Sequence, residues 1–107
     1  MVEDAVLTAI RRYMAALPAY GIHASKVILY GSHARGKRHE WSDIDVIVVA
    51  PEFDRTHDVR LVENLWLATE AVDDRIEPIA CGEREWETDE GRPIIEIARQ
   101  EGIEIAA

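Results

Sequence analysis

Cysteine and basic residues are scarce in this 107-residue chain. The single cysteine, Cys81, excludes an internal disulfide and a cysteine-built zinc site, and it favours a reducing, cytoplasmic compartment. Only 12 Lys and Arg residues oppose 21 Asp and Glu residues, so that the formal net charge is −9. A chain this acidic is a poor candidate for binding nucleic acid or an anionic membrane through bulk electrostatics.

Long hydrophobic runs and a basic leader are absent as well. The apolar run at 46–50 ends at Pro51, far short of the roughly 20 apolar residues that a transmembrane helix needs. The first residues include Glu3 and Asp4, where a signal peptide would be basic. No linker, repeat or low-complexity stretch divides the chain, and its length predicts a single domain over residues 1–107. We therefore expect a cytoplasmic globular domain.

Hydrophobic periodicity predicts both helices and strands. The expected strands share a concentration of β-branched residues and cover residues 26–30, 43–49 and 75–80. The expected helices show helical spacing or capping residues and run over residues 3–17, from Asp58 or Thr56 to about Ala71, and from Pro93 to Gly102. This order of elements predicts an α/β or α+β fold in which helices cover a small sheet.

Two carboxylates, Asp43 and Asp45, stand two residues apart at the start of the second expected strand. Because side chains alternate between the faces of a strand, both are expected on one face. Neighbouring carboxylates repel each other, and a divalent cation relieves that repulsion. Mg²⁺ is usually held by one or two carboxylates together with substrate phosphates. The pair therefore predicts a metal site, although two solvated acids at an exposed strand end would give the same pattern.

A glycine–serine turn, Gly31-Ser32, directly follows the first expected strand. Glycine lets backbone N–H groups approach a ligand closely, and a helix that begins there favours phosphate, to which the serine hydroxyl adds a donor. Three cations follow within an acid-free segment that spans residues 31–39: Arg35, Lys37 and Arg38. A triphosphate could bridge this basic segment and a metal held by the acidic strand.

These residues together resemble a known family. Gly-Ser-His-Ala-Arg-Gly followed by Ser-Asp-Ile-Asp is similar to the signature of the polymerase-beta-like nucleotidyltransferases, and more narrowly to the minimal nucleotidyltransferase (MNT-type) domains. The resemblance implies a mixed sheet flanked by helices, ATP or another NTP as donor, and two Mg²⁺ ions. It implies that Gly31 and Ser32 hold the β- and γ-phosphates and that Arg35 supports the phosphate loop or contacts the nucleotide. Asp43 and Asp45 would ligate the metals.

Members of this family carry a third carboxylate on a neighbouring strand, for which the candidates are Asp73, Asp74 and Glu77. We favour Glu77, because it lies inside the apolar third strand, where a carboxylate needs a metal or a charged partner. Asp73 and Asp74 are expected in the loop before that strand. Many relatives use Asp at this position, and Pro78 indicates an edge strand because proline cannot donate to the ladder. As third ligand, Glu77 would also be placed to accept the proton of the attacking hydroxyl.

The resemblance also implies a partner. Domains of this type commonly pair with a small helical HEPN-type protein in a toxin–antitoxin arrangement, in which the antitoxin adenylylates a tyrosine of the toxin. We therefore expect an antitoxin that moves AMP from ATP onto such a tyrosine. A non-catalytic partner-binding antitoxin and a small-molecule nucleotidyltransferase stay open as alternatives, and a homo-oligomer is compatible with either. The negative net charge argues against a nucleic-acid acceptor.

Weaker signals concern single side chains. The four histidines lack the spacing of a paired metal site and are expected at the surface, with His33 and His39 bordering the proposed site. Tyr30 is expected to pack in the core or at its rim, with stacking on a base as the alternative. Cys81 is expected to be a small buried hydrophobe. The acids of residues 83–90 are expected to form a solvated stretch before the last helix.

Overall fold

A four-stranded mixed sheet forms the centre of the fold. The computed structural model describes residues 3–35, 43–55, 58–88 and 92–106. The strands within these ranges are β1 (Lys26–Tyr30), β2 (Ile44–Val49), β3 (Ile76–Cys81) and β4 (Ile103–Ala106). Their order in the sheet is β3-β2-β1-β4; β1 runs antiparallel to both β2 and β4, whereas β3 runs parallel to β2.

Helices cover both faces of this sheet. Those in the described ranges are α1 (Asp4–Ala16), α2 (Ser32–Arg35), α3 (Glu52–Arg55), α4 (Val59–Val72), α5 (Glu83–Glu87) and α6 (Pro93–Glu101), with a 3-10 turn (Leu17–Tyr20) after α1. The expected mixed sheet flanked by helices is thereby confirmed. The expected caps are confirmed too: the Asp58 carboxylate accepts the backbone N–H of Arg60 at 2.9 Å, Pro93 opens α6 and Gly102 follows its last residue.

The sheet separates two hydrophobic cores. On one face α1 and α4 pack through residues such as Ile10, Tyr13 and Leu65, all of them fully buried. On the other face α6 packs through Ile95 and Ala98, and Trp86 of α5 joins this second core from its rim. Each fully buried aliphatic side chain of this kind contributes about 1.5–3 kcal/mol to folding. The sheet is therefore held between two helical layers.

Strand β2 lies in the middle of the sheet, and Asp45 is its only residue that is not buried. Alternate residues from Ile44 to Val48 face α1 and α4, whereas Ile47 and Val49 face α6. Asp45 belongs by this alternation to the α6 face. Strand β2 is thus a central apolar strand that carries an acidic residue at one end.

Two strand boundaries differ slightly from the expected ones. β2 begins at Ile44, so that Asp43 directly precedes it, and β3 covers 76–81 instead of 75–80. Strand ends commonly shift in this way because pairing, and not composition, decides them. β3 is the outermost strand on its side, which confirms the edge position that Pro78 indicated.

Three elements were not expected: α3, α5 and β4. α5 falls on the acidic stretch that was expected to be merely solvated. The Asp54 carboxylate, which comes from α3, accepts the backbone N–H groups of Glu83 and Arg84 at 2.9 and 3.1 Å and so caps α5 from a distant part of the chain. β4 forms because it pairs with β1, which is also remote in sequence. Tertiary contacts therefore explain these elements better than local pattern does.

Cys81 is 1% exposed, as expected for a small buried hydrophobe, and burial raises the pKa of its thiol to about 12. In the part of the chain that the structure describes, no helix is long and apolar enough to cross a membrane.

Candidate active site

The turn after β1 brings the chain back against β2. Gly31 has φ +77°, a left-handed conformation that side chains with a Cβ rarely adopt. A Cβ at this position would lie 2.6 Å from Oδ2 of Asp45, closer than a real contact allows. The lack of a side chain at Gly31 therefore permits both the turn and the close approach to the Asp45 carboxylate.

Three side chains form a row across the sheet at this end. Tyr30 of β1 pairs with Asp45 of β2, and Asp45 pairs in turn with Glu77 of β3. Residues at the same register across neighbouring strands project from the same face. Glu77 is thus placed beside Asp45 by strand pairing, and Gly31 lies at the next position along the chain from Tyr30.

The carboxylates perturb one another. Burial raises the pKa of Asp45, and the negative charge of Asp43 raises it further, while a hydrogen bond with Glu77 and the proximity of His33 act in the opposite direction. Burial also raises the pKa of Glu77, together with repulsion from Asp43 and Asp45 and hydrogen bonds to both. A proton held on Glu77 therefore relieves the repulsion among the three groups, and a cation would relieve it in the same way.

Tyr30 packs against the α6 core, so that the expectation of core or rim packing is confirmed. Burial raises the pKa of its phenol to about 12, and the charges of Asp45 and Glu77 add to this effect. The phenol is therefore protonated at neutral pH. It lies beside Asp45 and Glu77, which together with Asp43 form the carboxylate row.

His33 was expected at the surface, and this prediction is wrong: its side chain is only 2% exposed. It lies on α2, which packs against β1 and β2, and its proximity favours the ionised form of Asp45. A helix of four residues has no periodicity from which burial could be predicted. The one available signal was its place inside the glycine–serine motif.

The remaining residues of the motif are only partly described. Ser32 and Arg35 are the first and last residues of α2, and only their backbone belongs to the described structure. Lys37, Arg38 and His39, which complete the basic segment, lie outside the described residues. Asp43 is exposed immediately before β2 and lies close enough to Asp45 and Glu77 to raise the pKa of both.

Of the three candidates for the third carboxylate, only Glu77 stands in register with Asp45. Asp73 has a different arrangement, because its carboxylate accepts the backbone N–H of Arg75 at 3.0 Å and the Arg75 guanidinium at 2.8 Å. These bonds lower the pKa of Asp73 and fix the turn before β3. Asp74 lies in the same turn. The choice of Glu77 stays a prediction, and its position in the sheet is consistent with it.

Asp43, Asp45 and Glu77 supply oxygen ligands only, which suits a hard cation such as Mg²⁺. Burial and the repulsion of neighbouring carboxylates raise the pKa values of Asp45 and Glu77, and carboxylates that are to share a cation repel one another in this way before it binds. Within the described ranges, however, no three His, Cys, Asp or Glu side chains are already grouped as ligands of one metal ion. The donor chemistry therefore fits a divalent cation, whereas a closed coordination shell is not formed by these side chains.

Comparison with known proteins adds one further observation. A family model described as a nucleotidyltransferase domain matches residues 10–102, which include β1, β2, β3 and every candidate site residue. Among curated proteins no significant match is found.

Proposed function

The chain belongs to the nucleotidyltransferase domain family, as a minimal member of the polymerase-beta-like type. We propose that it moves AMP from ATP onto a hydroxyl group of a protein, which breaks the bond between the α- and β-phosphates and releases pyrophosphate. The observation that carries this proposal is the register of Asp45 with Glu77, beside the Gly31 turn. It supplies two carboxylates on one face of the sheet, next to a turn whose backbone lies directly against the Asp45 carboxylate.

We assign Asp43, Asp45 and Glu77 to holding two Mg²⁺ ions. When bound, the ions would neutralise the triphosphate and lower the pKa of the acceptor hydroxyl. The three side chains bring a charge of −3 to one end of the sheet, and this concentration of negative charge makes cation binding favourable. The chain itself contributes mainly the positioning of the reacting groups, because phosphoryl-type transfer depends mainly on alignment and charge stabilisation.

The turn and the helix after β1 have the complementary role. Because Gly31 has no side chain, the Asp45 carboxylate lies directly against the turn, and a phosphate bound to the backbone of this turn would be next to the proposed metal ligand. Ser32 and Arg35 follow in α2 and are assigned to the β- and γ-phosphates and to support of the phosphate loop, as the family resemblance implies. Glu77 is assigned a second role, accepting the proton of the attacking hydroxyl.

For the acceptor we propose a tyrosine of a small helical HEPN-type toxin, which the chain would neutralise as its antitoxin. The net charge of −9 supports a protein acceptor over a nucleic acid, since phosphate-rich acceptors would be repelled. A tyrosine hydroxyl is uncharged at neutral pH and is therefore not repelled by the three carboxylates.

The test is to incubate the purified protein with ATP labelled at the α-phosphate, Mg²⁺ and the product of the neighbouring gene. We expect label on a tyrosine of the partner, identified by mass spectrometry as AMP. The Asp43→Asn/Asp45→Asn double variant should lose at least about a hundredfold in rate, as expected when charge stabilisation of the transition state is removed. Asp74→Asn, a neighbouring acid outside the carboxylate row, serves as matched control and should label normally.

The outcomes separate the alternatives. Normal labelling by the double variant would contradict the assigned metal ligands. If the double variant still neutralises the partner in cells, binding alone suffices and the antitoxin acts without catalysis. If label passes to hydroxylated small molecules such as aminoglycosides and not to the partner, the acceptor assignment is wrong.

A further inference from the structure

Helix α4 exposes an apolar face that no described element covers. Four of its large hydrophobic side chains are strongly exposed, with fractions that reach 66% for Val59, 51% for Leu67, 46% for Trp66 and 42% for Val62. Soluble proteins rarely leave a contiguous apolar patch open unless it binds something. Trp is also one of the residue types that are enriched among binding hot spots.

The fold itself does not need this face. The opposite side of α4 packs in the core through Leu65 and Ala68, both fully buried, and the carbonyl of Leu65 accepts a hydrogen bond from the Tyr13 hydroxyl at 2.7 Å. Helix α4 is thus anchored in the core through its inner face. Its outer face is available for a second structure.

Acidic side chains divide this outer face. Val62, Glu63, Trp66, Leu67 and Glu70 line an open groove of about 440 Å³. Glu63 and Glu70 are two turns apart on the same side of the helix, about 10.5 Å along its axis. The described residues that line the groove include no Lys or Arg, and Arg60 of the same helix, which also interacts with Glu63, is paired with Asp58 at 3.2 Å. The groove therefore combines apolar contact area with two carboxylates at a fixed spacing.

We propose that the outer face of α4 binds an amphipathic helix of a partner protein. That helix would insert apolar side chains between Val62, Trp66 and Leu67, and it would present Lys or Arg two turns apart to Glu63 and Glu70. Helices bind grooves of this kind through apolar anchors at i, i+3, i+4 and i+7. The charge pattern selects the partner and the apolar contacts provide affinity.

Charge argues against two other occupants. A second copy of this chain would bring a second net charge of −9, and its α4 would add another Glu63 and Glu70 to the contact. An anionic lipid surface would meet the same two carboxylates. Both occupants would face like-charge repulsion at the centre of the patch, whereas a basic helix would not.

The docking face is remote from the carboxylate row. α4 covers one face of the sheet, whereas Tyr30, Asp45 and Glu77 project from the face that α6 covers. A partner on α4 therefore leaves the carboxylate row open, and substitutions on α4 do not alter the groups assigned to nucleotide transfer. Partner binding on this face can therefore be tested independently of the proposed nucleotide transfer.

The experiment uses the whole chain and a synthetic helical peptide of about four turns as the probe. The basic peptide carries leucines at i, i+3, i+4 and i+7 with Lys two turns apart on the flank, and the acidic peptide replaces each Lys by Glu. Isothermal titration calorimetry should show binding of the basic peptide and at least about tenfold weaker binding of the acidic one. Trp66→Ala should weaken binding of the basic peptide by about tenfold or more.

A charge exchange gives the sharper result. The Glu63→Lys/Glu70→Lys variant should bind the acidic peptide better than the basic one, because complementarity is restored with the signs reversed. Ile97→Ala and Glu87→Lys remove an exposed apolar side chain and reverse an exposed charge on other helices, and these controls should leave peptide binding unchanged. Circular dichroism confirms that each variant is folded.

Three outcomes would overturn the proposal. The peptides could bind equally well to every variant. Light scattering could show a dimer of the unmodified chain that Trp66→Ala dissociates, in which case a second copy occupies the groove. Vesicles of anionic phospholipid could bind the chain through Trp66, in which case the face is a membrane contact.

Discussion

Gly31 and Asp45 approach each other so closely that a Cβ on Gly31 would lie 2.6 Å from the Asp45 carboxylate oxygen Oδ2. The approach depends on the left-handed conformation of Gly31, which directs the chain from β1 back over β2. The same two residues therefore connect the backbone geometry of the turn to the position of a proposed metal ligand.

Gly31→Ala should consequently impair both stability and chemistry. The left-handed conformation costs a residue with a Cβ about 1–2 kcal/mol, which urea unfolding would measure. The new Cβ also displaces the Asp45 carboxylate, so that nucleotide transfer should fall at least about tenfold below that of the unmodified chain.

Gly21→Ala is the matched control. Gly21 has a similar φ of +81°, but a Cβ there would meet only Leu61 Cδ2 at 3.9 Å. This variant should lose similar stability while its transfer rate stays unchanged. Equal loss of transfer in both variants would show that the Gly31–Asp45 contact has no specific role.

The carboxylate row should destabilise the fold at neutral pH when no divalent cation is present. The pKa values of Asp45 and Glu77 are raised, so that the folded chain holds these protons more tightly than the unfolded chain. At a pH below the ordinary carboxyl pKa, the protonated forms of these two groups add to the stability of the folded chain. This contribution is lost as the pH rises through the raised pKa values of the folded chain. In chelator, Asp45→Asn should therefore be more stable than the unmodified chain at neutral pH, and the difference should vanish below about pH 4.

Thermal unfolding across this pH range measures the effect, and Asp74→Asn is the control that should follow the unmodified chain. NMR titration of the Glu77 carboxyl should show a lower pKa in Asp45→Asn, since one source of repulsion is removed. A Glu77 pKa that stays unchanged in Asp45→Asn would be incompatible with the coupling described for the row.

Mg²⁺ should stabilise the chain through the same residues. Ligand binding to the folded state contributes about 2.7 kcal/mol to stability at a concentration about 100 times the Kd. We expect the melting temperature to rise with Mg²⁺ for the unmodified chain and for Asp74→Asn, and to stay constant for Asp43→Asn/Asp45→Asn. An equal rise for all three proteins would place the cation elsewhere, for example on the acids of 83–90.

The hydrogen bond between α1 and α4 should matter for stability alone. The Tyr13 hydroxyl donates to the Leu65 carbonyl at 2.7 Å, and burial raises the pKa of this phenol, so that it stays protonated as a donor. Tyr13→Phe should lower the free energy of unfolding by about 1 kcal/mol. Tyr20→Phe, at a partly exposed position, should change it by less than about 0.5 kcal/mol. A measurable fall in nucleotide transfer by Tyr13→Phe would contradict the assignment of this bond to stability alone.

The parts of this fold that could be predicted from the sequence are those that depend on neighbouring residues in the chain. Asp58 and Pro93 mark the starts of α4 and α6 because capping and the fixed φ of proline act within one turn. β2 was predictable because a buried central strand is a continuous apolar run. By contrast, β4 has only four residues and exists through pairing with β1, and α5 depends on Asp54, about 30 positions earlier in the chain.

The candidate site follows the same rule. Asp43, Asp45 and the glycine–serine turn lie within one segment and were recognisable from their spacing. The alignment of Glu77 with Asp45 required the parallel pairing of β3 with β2, which the sequence suggests only through a buried acid in an apolar run. The burial of His33 follows from the packing of α2 on the sheet, and no periodic pattern in the sequence predicts it.

The position of Pro78 has a consequence for solubility. β3 is the outermost strand on its side of the sheet, and an open strand edge is a template on which other chains aggregate. Proline has no backbone N–H, and its rigid ring disturbs any strand that pairs beside it. Six consecutive residues of β3 still pair with β2, so that Pro78 does not disrupt the pairing of β3 with its neighbour inside the sheet. On the open side of β3, the proline is expected to hinder pairing with a further strand. We therefore expect the residue that follows Glu77 to protect the domain from edge-to-edge aggregation.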